Sequence, residues 1–128
     1  MAIERVRIAG PVLDGILDAA RLQYPKEFFC LLGGRRGEGE VLVDEIVYIP
    51  FKNSERSASF NILDIPNMDP RIVGSAHSHP VPSGPSPADL QTFPYAGWVH
   101  LIVYPPFDRT AVSAYDAKGR LIPLLIED

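Results

Sequence analysis

At 128 residues the chain has room for one ordinary domain and not for two. Its 46% hydrophobic and 22% charged residues are those of a globular protein, and a net charge of −4 argues against a nucleic-acid surface, which needs a basic stripe. The single cysteine, Cys30, excludes an internal disulfide and a cysteine-rich zinc site, and points to a reducing compartment, most simply the cytoplasm.

Residues 1–10 carry three charges and no apolar core, so they do not read as a secretion signal, and no apolar run approaches the ~18 residues of a membrane span. Residues 6–9 read as a short strand. Val12, Leu13, Ile16, Leu17, Ala20 and Leu22 then recur at nearly helical period behind Pro11, predicting a helix over 11–23 that Tyr24-Pro25 stops. Glu27 stands at the start of a buried strand over 28–32, in which Cys30 is an inert, packed thiol and which Gly33-Gly34 closes. Residues 35–39, with Arg35-Arg36, read as a solvated polar turn and 40–50 as the returning strand of a hairpin. Residues 53–60 are small-residue loop and strand, and Pro66 keeps any helix over 63–68 short.

The most informative stretch is 75–89, S-A-H-S-H-P-V-P-S-G-P-S-P-A-D. It continues an apolar strand that begins at Arg71, and alternation puts His77 and His79 on one side with Ser78 on the other. A loop rich in Pro, Ser and Gly leads to Ser86-Pro87-Ala88-Asp89, which reads as a helix start over 87–93 ending at Pro94. Two imidazoles and one carboxylate suit Zn²⁺, and three protein ligands leave a tetrahedral ion one position for water. Each piece also has a plainer use. The His-x-His pair can be two hydrogen-bonded histidines at a sheet edge, and Ser86 with Asp89 is what a capping box needs. Three strands complete the chain, over 98–104, 110–115 and 120–126, the last two joined by a turn at 117–119. His100 shares a strand face with Trp98 and Ile102 and reads as a packed histidine. The order of helices and hairpin-linked strands predicts an α+β layer architecture.

The run His77-Ser78-His79-Pro80, with Ser86-x-x-Asp89 after it and Glu27 upstream, resembles the JAMM (MPN-type) zinc metalloproteases, which include archaeal desampylase-like enzymes and the deubiquitinase of the proteasome lid. The resemblance spans nearly the whole chain. One departure is a loop between His79 and Asp89 one residue shorter than the family usually has. The resemblance implies a single MPN/JAMM domain over 1–128, a curved mixed β-sheet packed with two main helices, cytidine deaminase-like in architecture. It also implies one Zn²⁺ per chain held by His77, His79 and Asp89. On the same resemblance, water activated by the metal would attack an amide with Glu27 as general base, and Ser86, beside its capping role, would stabilise the oxyanion. From the residues alone, Glu27 would read as an exposed glutamate beside Lys26.

The implied activity is a zinc-dependent isopeptidase that frees the C-terminal glycine of a ubiquitin-like small modifier from its target. Ser57, Ala58, Ser59 and Phe60 are candidates for substrate binding, with 57–62 offering an edge strand to the modifier's tail. Two other readings stay open: a hydrolase releasing cysteine or another small group from a sulfur-carrier protein, and a metal-free MPN scaffold that only binds partners. No nucleic-acid or membrane partner is expected, and whether the chain forms a homodimer is left open. Other zinc chemistries fit less well, because the chain has neither a His-Glu-x-x-His helix nor the Pro-Cys-x-x-Cys of a deaminase.

Overall fold

The computed structural model describes residues 2–48 and 69–128. Among them are two helices, α1 (Gly10–Gln23) and α2 (Pro87–Ala96), and eight strands: β1 (Arg5–Ala9), β2 (Phe29–Arg36), β3 (Glu40–Tyr48), β4 (Ile72–Ser78), β5 (Val99–Val103), β6 (Val112–Asp116), β7 (Leu121–Ile122) and β8 (Leu124–Glu127). The strands form one mixed sheet in the order β7-β6-β5-β4-β2-β3-β1-β8. β1 runs parallel to β3 and β8, and β4 parallel to β5, while the other neighbours are antiparallel. β7 and β8 lie at opposite ends of that order with only Pro123 between them in the chain, so the sheet curls until its two edges nearly meet. No described helix is long and apolar enough to cross a membrane.

Helix α1 forms where its periodicity predicts it. Pro11 occupies the first turn, where its missing N–H costs nothing, and Leu13, Ile16, Leu17 and Ala20 share one buried face. That face packs on Val6 and Ile8 of β1, Val41 and Val43 of β3, Cys30 and Leu32 of β2, and Leu101 of β5. Each large aliphatic side chain buried there contributes about 1.5–3 kcal/mol. Helix α2 covers the opposite face with two buried side chains, Ala96 against Leu31 and Phe93 against Ile102.

The structure corrects the expected elements in four places. β2 does not end at Gly33-Gly34 but runs to Arg36, because the glycines serve a close approach to β3. A Cβ on Gly34 would stand 1.8 Å from Leu42 O and one on Gly33 2.3 Å from Val47 Cγ2, where the ladder shifts register. Arg35 and Arg36 are therefore strand residues opposite Leu42 and Val41, and the Arg36 guanidinium lies 5.2 Å from the centre of the Trp98 ring. α2 passes through Pro94 instead of stopping at it. The interior proline costs about 3 kcal/mol in an isolated helix, but buried Phe93 and Ala96 hold the backbone on both sides of it. The final expected strand is two, since Pro123 has no N–H for a ladder; β7 pairs with β6, and β8 crosses to β1.

Candidate metal centre

β4 delivers the first histidine. His77 lies opposite Phe29 of antiparallel β2 and beside Ile102 of parallel β5, on the face that α2 covers. His79 is one residue past the strand, but its N–H donates to Val103 O at 2.9 Å, so the chain stays extended and the two imidazoles keep to one side. Their Nε2 atoms are 3.1 Å apart.

The carboxylate comes from the start of α2. Ser86 is the N-cap: its Oγ accepts from Asp89 N at 3.1 Å, and Asp89 Oδ2 accepts from Ser86 N at 2.9 Å, a reciprocal capping box. The same Oδ2 is 3.3 Å from each histidine Nε2. The cap reading and the ligand reading are thus compatible, because the rotamer of Asp89 that closes the capping box also brings Oδ2 to both rings. The shortened loop before Asp89 still lets it reach both rings. Burial pushes the Asp89 carboxyl up, yet the hydrogen bonds from His77 and the Ser86 backbone hold it well below the usual carboxylate range.

These distances fit a tetrahedral metal site. In a tetrahedron with bonds of about 2.0–2.1 Å the corners lie about 3.3 Å apart, and the three donor atoms stand 3.1, 3.3 and 3.3 Å from one another. The side chains are 12%, 12% and 18% exposed, so the cluster is open to solvent on one side. Two neutral nitrogens and a carboxylate are a donor set for zinc. Among the described residues this is the group of His, Cys, Asp and Glu side chains that converges on one point.

A cavity of about 400 Å³ adjoins the cluster, lined among others by Glu27, Phe29, Ser75, His77, Asp89 and Phe93. Glu27 is thereby brought to the same space as two of the three candidate ligands. Its backbone is tied to the histidine strand through the next residue: Ser78 Oγ accepts from Phe28 N at 2.8 Å, and Ser78 N donates to Phe28 O at 3.0 Å. Ser78 faces away from the ligands, as alternation predicts, and works as this clamp. Ser57, Ala58, Ser59 and Phe60 lie outside the described residues.

Two polar pairs went unread in the sequence. Ser83, four residues after His79, stands with its Oγ 2.7 Å from His79 Nδ1 and donates its own proton to Val81 O at 3.4 Å. Across the 2.7 Å contact, Ser83 as acceptor corresponds to the tautomer with the ring hydrogen on Nδ1, which is the one that keeps the Nε2 lone pair for a metal. The only hint was a serine in a loop already rich in them. The second pair is Ser75 with His100. His100 is fully buried, with Nδ1 2.8 Å from Ser75 Oγ and Nε2 3.2 Å from Gly97 O, and its ring stacks on Phe93 at 4.1 Å and 5°. Burial lowers its pKa to about 4 against the opposing hydrogen bond to Gly97. It is a packed, neutral histidine and not a fourth ligand. Cys30 is likewise inert, its thiol pushed up to about 12 by burial despite a hydrogen bond from the Ala76 backbone.

Residues 10–117 match the family described as prokaryotic homologs of the JAB domain. A probable metalloprotease of Haloferax volcanii is 34% identical over 135 aligned positions, covering 98% of this chain and 81% of that protein. A JAB1/MPN domain protein from Archaeoglobus fulgidus superposes with a TM-score of 0.72 at 31% identity, over 95% of this chain and 99% of that one. A second solved structure, described as a JAMM metalloprotease-like zinc site in the proteasome and signalosome, superposes with a TM-score of 0.71 at 29% identity over the whole of both chains.

Proposed function

The chain belongs to the prokaryotic homologs of the JAB domain and is a zinc-dependent hydrolase of the metallopeptidase kind; from that footing we propose that it is an isopeptidase acting on conjugates of a ubiquitin-like small modifier. The observation that carries this reading is the coincidence of three donor atoms at tetrahedral spacing with a carboxylate, Glu27, on the same 400 Å³ cavity.

In this reading residues 1–128 act as one domain, and His77 Nε2, His79 Nε2 and Asp89 Oδ2 hold the ion. Bound there, zinc supplies Lewis acidity toward a carbonyl oxygen and lowers the pKa of water to about 7. Glu27 takes the proton released as water oxygen bonds to the amide carbon, and delivers it to the leaving lysine nitrogen as the C–N bond breaks. The Ser86 hydroxyl accepts the Asp89 N–H, so its own proton is available to the carbonyl oxygen as negative charge develops there. Phe29 and Phe93 give the cavity apolar walls that keep bulk water from the reacting bond. A cavity this size takes an extended, small-residue tail and not a folded chain.

The test is cleavage of a lysine-linked modifier conjugate by purified protein, with chelator and with zinc added back. Cleavage that stops with chelator and returns with zinc is expected. A protein that binds one zinc per chain and leaves every conjugate intact, while releasing a terminal amino acid from a sulfur-carrier protein, would move the assignment to carrier processing.

A further inference from the structure

Behind the three ligands, on the same face of β4, stands the Ser75–His100 pair, for which the zinc chemistry has no use. Ser75 precedes His77 by two residues, so both side chains face α2. Its neighbour across the parallel ladder is His100 of β5. The hydrogens of this pair are assigned by its partners. Gly97 O, 3.2 Å from His100 Nε2, can only accept, so Nε2 carries the ring hydrogen. A buried, neutral ring then has a bare lone pair at Nδ1, and the Ser75 hydroxyl, 2.8 Å away, donates to it. Phe93, stacked flat on the ring, keeps it from turning over.

A hydroxyl that has given its one proton to a buried imidazole has only lone pairs left to offer. Among the described residues no hydrogen bond runs to Ser75 Oγ from another donor. Ser75 is 2% exposed and nevertheless lines the cavity that Glu27, His77 and Asp89 share. The wall of the cavity thus carries one oriented oxygen acceptor, held in that role by His100. The hydroxyl is satisfied through its proton, and its lone pairs stay available to a ligand N–H.

We infer that Ser75 Oγ accepts a backbone N–H of the substrate's extended tail, and that His100 is the positioning residue that keeps this oxygen an acceptor. Ser75 and His77 are separated by two residues of strand, about 7 Å, which an extended peptide spans in two residues. The N–H concerned therefore belongs one to two residues before the scissile carbonyl. The identity of the ligand as a modifier tail rests on the isopeptidase reading; the acceptor itself does not.

The test uses zinc-loaded full-length protein and a synthetic peptide ending in Gly-Gly as the free acid, with binding followed by calorimetry. Companion peptides carry an N-methyl group on each of the last three amides in turn. Ser75→Ala should keep one zinc per chain and bind the unmodified peptide roughly three- to tenfold more weakly. N-methylation at one position should cost wild type the same factor and cost Ser75→Ala nothing. Ser75→Cys, a weak acceptor of similar shape, gives the same reading if the alanine variant does not fold. Equal binding by wild type and variant, an N-methyl penalty that persists in the variant, or no binding of the diglycine peptide at all would each overturn the inference. Cleavage of the matching lysine isopeptide is scored separately. Its absence with the binding pattern intact removes the isopeptidase reading and leaves the assignment of Ser75 standing.

Discussion

The two faces of the sheet are built by the same strands and do different work. On the α1 face, Cys30, Leu32, Ala76, Val99 and Leu101 meet an aliphatic helix in a continuous apolar cluster. On the α2 face, the alternate residues of those strands are Phe29, Leu31, Ser75, His77, His100 and Ile102, and the apolar contacts break into two small clusters with polar groups between them. Period-two alternation lets one strand contribute to both without compromise. Stability is concentrated on the face with no chemistry, which leaves the other face free to keep partly exposed imidazoles.

The sharpest way to break that division is at Asp89, which belongs to both the helix cap and the ligand cluster. Asp89→Ala should abolish stoichiometric zinc binding and with it all turnover, as read by metal analysis of the purified variant. Glu27→Gln should separate the two properties, retaining one zinc per chain while turnover falls by roughly 10²–10⁴. A Glu27 variant that loses the metal, or an Asp89 variant that keeps it, reverses the proposed roles.

Leu13→Ala tests the opposite face. Emptying this fully buried position should cost about 2–5 kcal/mol in denaturant unfolding, with the zinc content of the protein that stays folded unchanged. A comparable loss of zinc affinity would show that the faces are coupled.

His100 predicts a pH dependence with a definite sign. Its folded pKa, about 4, lies below the ordinary 6.5 because burial disfavours the imidazolium. The unfolded chain therefore binds more protons between those values, so stability is present above pH 6.5 and lost as pH falls toward 4. The loss attributable to this group is on the order of 3 kcal/mol. Melting of wild type and His100→Phe between pH 7 and 4.5 checks it, and the variant should show a shallower decline. The smallest expected effect is at Ser83, where Ser83→Ala should weaken zinc binding by roughly 10- to 100-fold by releasing the His79 ring. A competition titration with a chelator of known affinity measures it.

What local patterns determine was legible in advance. The spacing of Leu13, Ile16, Leu17 and Ala20 reads as α1, the two-residue step from His77 to His79 puts both rings on one side, and Ser86-x-x-Asp89 reads as the cap of α2. Each depends on neighbours a few residues away, so the chain carries the information where it is used. Only the tertiary structure decided that Pro94 lies inside α2, that β2 runs on through two glycines, and that Pro123 divides strands at opposite edges of the sheet. The partners of Ser83 and Ser75 were also decided there, since a hydroxyl has no periodicity and takes its role from the nitrogen that folding sets beside it. Contacts between segments 25 residues apart, Ser75 on His100 and the close approach of Gly74 to Val99, set these roles, and no short window of sequence contains both sides of such a contact.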